Sequence, residues 1–129
     1  MKLLLSILLM STILFGSKAD FLDDYNKALE LAKAENKDIY MLVTSHDCQW
    51  CRKFERVTLS DEKTIEILKK QYVLLALNRD IDDIPTQYKA NRVPKHFFLT
   101  ANGEIIYTFL GYWNPEDFAS FADEVQKKK

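Results

Sequence analysis

Two apolar runs in the middle of the chain predict β-strands that are buried on both faces. Residues 39–44 (IYMLVT) and residues 72–77 (YVLLAL) are continuous stretches with β-branched and aromatic members, which suit strands covered on both sides of a sheet. Residues 20–37 instead repeat apolar side chains at three- and four-residue spacing. That spacing predicts an amphipathic helix ahead of the first strand.

The second half of the chain adds a hairpin and a final helix. Residues 96–100 and 104–110 predict two strands joined by a turn, because both residues of the Asn-Gly pair at 102–103 tolerate positive φ. The Asn-Pro pair at 114–115 predicts the cap and first residue of the last helix. Further helical segments are predicted over residues 48–57, 60–71 and, as a short turn, 86–90.

These elements predict an α/β fold, with a mixed central sheet of about four to five strands and helices on both faces. The strands at residues 39–44 and 72–77 are expected to be parallel and joined by a right-handed crossover, and the two strands of the hairpin are expected to be antiparallel. A chain of 129 residues has room for one domain. Its 47% hydrophobic content, with three glycines, three prolines and no repeat, argues against disordered and fibrous classes.

The N-terminus differs from the rest of the chain. Lys2 precedes an almost unbroken apolar run over residues 3–15, and the small residues Ser17 and Ala19 follow. This order is typical of a secretory signal peptide, and the run is shorter than the ~20 residues of a membrane-spanning helix. We therefore expect a signal peptide over residues 1–19, cleaved near Ala19, a mature domain over 20–129, and a periplasmic or otherwise extracytoplasmic location. An uncleaved anchor and a buried N-terminal helix are the alternatives.

The charge of the mature segment is mildly acidic. Residues 1–19 contain two lysines and no acid, so residues 20–129 carry 16 basic and 19 acidic side chains, a formal charge of −3. No basic stripe suggests a nucleic-acid partner. Nothing in the sequence requires more than a monomer.

The chemistry of the chain is concentrated in Cys48-Gln49-Trp50-Cys51, which follows a predicted strand and opens a predicted helix. A thiol in the first turn of a helix faces unpaired backbone N–H groups and the positive end of the helix dipole. Both favour the thiolate, so Cys48 is expected to be the nucleophile and Cys51 the resolving thiol. This chemistry needs no cofactor and no metal, because the electrons reside in the two sulfur atoms.

Three other uses of the cysteine pair are considered. A structural disulfide would close a loop so small that it restrains the unfolded chain little. A zinc site needs about four ligands; no second C-x-x-C exists, although His46 and His96 could complete the set. Covalent haem needs a histidine after the second cysteine, and Arg52 stands there instead.

The cysteine motif after a strand, together with Arg92-Val93-Pro94 before a later strand, resembles the thioredoxin-like proteins over residues 20–127. A C-x-W-C motif followed by a basic residue looks most like the exported single-domain branch, which is related to disulfide reductases and to soluble domains of transmembrane electron carriers. The resemblance implies that Pro94 follows a cis peptide bond and lies against the cysteines. It also implies that Val93 offers its backbone to an extended substrate chain and that Trp50 contacts the partner.

The chain departs from the thioredoxin pattern at several positions. Asp47 stands where thioredoxin has tryptophan, and Leu42 stands where it has a buried acid that assists proton transfer. His46 or Asp47 could replace that acid, or both could simply face water. Lys95, after Pro94, could steer acidic partners, help to hold a thiolate or point to solvent. Whether the aromatic pair at 112–113 contacts partners or belongs to the core is left open.

The sequence thus predicts an exported thiol–disulfide oxidoreductase that reduces disulfides of protein partners by dithiol–disulfide exchange, supplied by a membrane electron donor. The direction of exchange stays open, because potentials in this fold span roughly −270 to −120 mV. The alternative is a thioredoxin-like binding module that chaperones a client or a metal ion without turnover.

Overall fold

The computed structural model describes residues 20–128, so the predicted signal segment, residues 1–19, lies outside the described residues. Within residues 20–128, no helix is both long and apolar enough to cross a bilayer. In chain order the elements are α1 (Tyr25–Glu35), β1 (Asp38–Thr44), α2 (Gln49–Lys53), a π-helical turn (Phe54–Thr58), α3 (Glu62–Gln71), β2 (Tyr72–Asn78), β3 (Lys95–Leu99), β4 (Ile105–Leu110) and α4 (Pro115–Lys127).

The four strands form one mixed sheet in the order β2-β1-β3-β4. Strand β1 pairs parallel with β2 and antiparallel with β3, and β3 pairs antiparallel with β4. The predicted mixed α/β sheet with a parallel crossover and a final hairpin is therefore confirmed. Strand β1 lies in the interior of the sheet, so its carboxyl end is flanked by neighbours on both sides.

Hydrophobic clusters cover both faces of the sheet, as the apolar runs predicted. Tyr40 and Leu42 of β1 belong to the cluster that contains Phe54 and residues of α3 and α4. Ile39, Met41 and Val43 belong to the cluster that contains residues of α1. Alternate residues of β1 thus enter opposite clusters, because successive side chains of a strand point to opposite faces.

Helix α1 begins later than the spacing predicted. Asp24 caps it, and its carboxylate accepts the backbone N–H of Lys27 at 3.0 Å. Before the cap the chain is extended: Leu22 bridges to β2, donating its N–H to the carbonyl of Leu74 and accepting the N–H of Ala76. The prediction of a helix from residue 20 was wrong because these residues satisfy their backbone groups at the edge of the sheet.

Of the short helical turn predicted over residues 86–90, a single hydrogen-bonded turn forms, closed by the N–H of Tyr88 on the carbonyl of Pro85 at 3.0 Å, and it does not continue as a helix. The Tyr88 hydroxyl donates to the carbonyl of Gly103 at 2.5 Å, and it lies 2.8 Å from the hydroxyl of Tyr25. These contacts between distant parts of the chain hold Tyr88 in the interior and set the path of the segment.

The predicted hairpin between β3 and β4 forms, but with a different turn. Only Gly103 of the Asn-Gly pair has positive φ, at 84°. The N–H of Gly103 donates to the carbonyl of Thr100 at 2.9 Å, and the N–H of Thr100 donates to the carbonyl of Glu104 at 2.9 Å. The turn therefore spans four residues and uses glycine at the one position where side chains are disfavoured.

Candidate functional site

Cys48 and Cys51 are joined in a disulfide, with 2.04 Å between the sulfur atoms and 5.2 Å between the Cα atoms. Both residues are buried: Cys48 is 6% exposed and Cys51 is 2% exposed. The pair lies between the end of β1 and the first turn of α2. The structure therefore holds the oxidised form of the motif, and Cys48 is the more exposed residue of the pair.

Cys48 occupies the N-cap position of α2. Its backbone is extended, with φ −139° and ψ 92°, and its Sγ accepts the N–H of Cys51 at 3.1 Å. A sulfur at this position faces the unpaired donors of the first helical turn, which stabilise a negative charge there. The geometry is that of a site which favours a thiolate at Cys48 once the disulfide is reduced.

The helix that carries Cys51 changes from α-helical to π-helical geometry at Phe54. The predicted helical run over residues 48–57 is present, but Phe54–Thr58 form a π-helical turn, in which the N–H of Leu59 donates to the carbonyl of Phe54 at 3.0 Å. The hydroxyl of Thr58 donates to the carbonyl of Trp113 at 2.6 Å. The turn thus joins the cysteine helix to the segment before α4.

The bond between Val93 and Pro94 is cis, which confirms the conformation that the resemblance implied. Pro94 is buried and Val93 is half-buried. The next residue, Lys95, pairs with Val43 near the carboxyl end of β1, so this loop lies at the same edge of the sheet as the Cys48 loop. The role of Val93 and Pro94 in substrate binding stays a prediction.

Trp50 is one of the exposed large hydrophobic residues, at 50% exposure. Its ring lies 6.3 Å from that of Tyr112, and the Lys53 ammonium lies 5.2 Å and 4.7 Å from the two ring centroids. These distances fit cation–π contacts. Tyr112 therefore faces the cysteine helix, whereas Trp113 packs against Phe109 and Phe121 at the edge of the core.

His96 is fully buried and both of its ring nitrogens are used. Nε2 lies 2.8 Å from the carbonyl of Gly111, which can only accept, so Nε2 carries the proton. Nδ1 then accepts the hydroxyl of Tyr40 at 2.7 Å. Burial lowers the pKa of His96 from 6.5 to about 4, partly offset by the bond to Gly111. Burial also raises the pKa of Tyr40 well above 10, and the charge of Glu55 adds to the increase.

The suggested Cys2His2 metal set is not assembled. His96 uses both ring nitrogens inside the core, and His46 is exposed on the loop before Cys48. Across residues 20–128, no three His, Cys, Asp or Glu side chains are placed to share a metal ion.

The residues at which the chain departs from the thioredoxin pattern lie in different environments. Leu42 is fully buried, and Asp47 and His46 are exposed. Lys95 does not simply point to water, because its ammonium donates to the carbonyl of Lys89 and lies 5.0 Å from the ring centroid of Phe97.

Three charged residues near the cysteines were missed by the sequence reasoning. Glu55 lines the same cleft as Cys51, four residues further along the helix, a spacing that places both on one side. Arg79 and Asp80 follow directly after β2, at the carboxyl end of a buried strand next to β1. That position was the available signal, since parallel neighbours end at the same edge of the sheet.

Comparison with known proteins agrees with this architecture. A family model described as a thioredoxin-like domain matches residues 25–126. The chain is 22% identical over 120 residues to anterior gradient protein 3 of Xenopus tropicalis. The aligned residues cover 88% of this chain and 73% of that protein.

Solved structures show the same fold. A thioredoxin from Thermus thermophilus is similar with a TM-score of 0.70 and 21% identity, covering 82% of this chain and 86% of that one. A DsbH oxidoreductase is similar with a TM-score of 0.71 and 18% identity, covering 85% and 87%. Since the family match spans most of the chain and its strands have the expected order, this chain belongs to the family of thioredoxin-like domains.

Proposed function

We propose that this protein is an exported thiol–disulfide oxidoreductase that reduces disulfides of protein partners. The observation that carries the proposal is the Cys48–Cys51 disulfide at the start of α2, where the Sγ of Cys48 accepts the N–H of Cys51. The membership in the thioredoxin-like family and the similarity to a structure named as an oxidoreductase support it.

The reaction follows from the two positions. In the reduced protein the Cys48 thiolate attacks one sulfur of the partner disulfide, so a Cys48–partner bond forms and the other partner sulfur leaves as a thiolate. The Cys51 thiolate then attacks Cys48, which closes the Cys48–Cys51 bond and releases the second partner thiolate. Two electrons pass to the partner. A dithiol donor outside the cytoplasm, held by a membrane protein, restores the reduced pair.

The extracytoplasmic location rests on the N-terminal sequence. Residues 1–19 have the order of a signal peptide, with cleavage near Ala19. Mass spectrometry of the protein recovered from the export compartment should find a mature chain that begins at Asp20. A chain that retains its first residues would overturn cleavage.

The activity is tested by titrating the Cys48–Cys51 pair of residues 20–129 against dithiothreitol and by following reduction of insulin. A midpoint of about −250 mV or lower supports a reductase, whereas about −120 to −150 mV makes the protein an oxidant. Cys51→Ser should accumulate a mixed disulfide with the substrate, while Cys48→Ser should form none. A pair that cannot be cycled would overturn the enzyme proposal in favour of a binding module.

A further inference from the structure

Arg79 and Asp80 connect two loops that meet at the cysteine edge of the sheet. Both residues follow directly after β2, and the N–H of Arg79 donates to the carbonyl of Thr44 at 2.9 Å. This bond continues the pairing of β1 with β2 by one residue. It places the Arg79–Asp80 pair beside the point where the chain leaves β1 for Cys48.

The side chain of Arg79 reaches the segment before Val93. Its Nη1 donates to the carbonyl of Ala90 at 2.7 Å and to the carbonyl of Asn91 at 2.8 Å. Two bonds to consecutive carbonyls fix the direction of the chain as well as its position. The cation also makes these charge-assisted bonds stronger than bonds between neutral groups.

The side chain of Asp80 reaches the loop before Cys48. Its carboxylate accepts the N–H of His46 at 2.7 Å. The carbonyl of His46 accepts the guanidinium of Arg52 at 3.1 Å, from the helix that also carries Cys51. The backbone of His46 is thus held on both sides, by Asp80 and by the cysteine helix.

The loop that carries the pair is itself ordered by side-chain bonds. Asn78 accepts the N–H of Asp80 on its Oδ1 at 2.9 Å and donates its own N–H to the carboxylate of Asp82 at 2.7 Å. The N–H of Asp82 returns to the carbonyl of Asn78 at 2.8 Å. These short local bonds hold Arg79 and Asp80 in one arrangement relative to β2.

We propose that Arg79 and Asp80 are positioning residues. They hold the segment before Pro94 (residues 90–93) and the loop before Cys48 (residues 45–47) at a fixed separation, so that an extended substrate chain can bind to both. The inference rests on the proposed function, in which such a chain uses the backbone of Val93 while its disulfide meets Cys48. Loops that are already ordered cost less to fix on binding, and correct placement of the reacting sulfur atoms speeds exchange. Neither residue is assigned a contact with the substrate.

The test compares a protein substrate with a small one. Arg79→Ala and Arg79→Lys are assayed with insulin, which needs the docked chain, and with glutathione disulfide, which needs Cys48 alone. Loss of one or two hydrogen bonds predicts a rise in KM for insulin of about threefold to tenfold. The rate with glutathione disulfide and the potential of the cysteine pair should not change. Arg56→Ala removes an exposed arginine from the π-helical turn and should leave both substrates unaffected.

Two substitutions of Asp80 distinguish the effect of its hydrogen bond to His46 from the effect of its negative charge. Asp80→Ala removes the acceptor of the His46 N–H, whereas Asp80→Asn keeps an acceptor and loses the charge. We expect the alanine variant to raise KM for insulin and the asparagine variant to restore most of the loss. Equal losses in both variants, or equal losses with insulin and glutathione disulfide, would overturn the positioning role.

A second measurement keeps the inference separate from the proposed function. In Arg79→Ala, tryptic cleavage after Lys89 and Arg92 should accelerate while cleavage within α3 stays unchanged, because the carbonyls of Ala90 and Asn91 lose their hydrogen bonds to Arg79. If the wild-type protein reduces neither substrate, the proposed function fails, and this cleavage experiment still decides whether Arg79 holds the loop. Unchanged cleavage after Lys89 and Arg92 would refute the role of Arg79.

Discussion

Acidification should destabilise this protein through His96, its buried histidine. The folded protein binds a proton at His96 only below about pH 4, whereas an unfolded histidine binds one near pH 6.5. Between these values the unfolded state holds more protons, so the free energy of unfolding falls as the pH falls. The contribution is complete above pH 6.5 and is lost progressively down to about pH 4.

The size of the effect follows from the two pKa values. Between pH 7 and pH 5 the difference in proton binding at His96 lowers the free energy of unfolding by about 2 kcal/mol. Urea unfolding at the two pH values measures this change. His96→Gln keeps one donor and one acceptor for Gly111 and Tyr40 but does not titrate, so its loss over the same range should be smaller by that amount.

The other histidine provides the control. His46 is exposed, so His46→Gln makes the same substitution at a site outside the core. Carboxyl groups that titrate in this range contribute equally to all three proteins and cancel in the comparison. If His96→Gln lost as much stability between pH 7 and pH 5 as the wild-type protein, the assignment of a neutral buried imidazole would be refuted.

Three further substitutions test the site and the fold. Trp50→Ala removes half-exposed aromatic surface beside the disulfide, so it should lower kcat/KM for insulin without changing the rate with glutathione disulfide, as measured by steady-state kinetics. Gly103→Ala would place a Cβ 2.5 Å from the hydroxyl of Tyr25 at a φ of 84°, and should cost about 1–3 kcal/mol in urea unfolding. Asn114→Ala removes the cap that accepts the N–H of Asp117 at 2.9 Å, and should cost about 1 kcal/mol in the same assay.

Each of these predictions has an outcome that would contradict it. Gly111 also has positive φ, but a Cβ there meets nothing within 4 Å, so Gly111→Ala should be less destabilising than Gly103→Ala. Equal losses would show that backbone strain alone decides both positions. A Trp50→Ala protein that slows with insulin and glutathione disulfide alike would indicate damage to the cysteine site rather than lost partner contact. An unchanged stability of Asn114→Ala would argue that the cap is dispensable.

The sequence alone was sufficient for the features that depend on near neighbours. The apolar runs at β1 and β2 predict strands covered on both faces, because such stretches are stable only when buried. The cap at Asn114 was readable in the same way, since it bonds to a residue three positions away. The position of Cys48 at the start of a helix followed from the order of a strand and a helical run.

The outcomes that the sequence did not predict depend on contacts between distant residues. Leu22 lies outside α1 because it pairs with β2, and Tyr88 lies in the interior, where its hydroxyl donates to the carbonyl of Gly103. The spacing of apolar residues carries no information on either partner.

The same distinction holds within the candidate site. The two cysteines were identifiable from their spacing, but the pairing of His96 with Tyr40 joins residues 56 positions apart, and that of Asp80 with His46 joins residues 34 apart. Polar side chains of these types occur equally on solvated loops, so a local pattern cannot tell a buried or bonded group from an exposed one. Only the folded chain brings the partners within hydrogen-bond distance, and that contact decides which groups stay neutral and which loops are held.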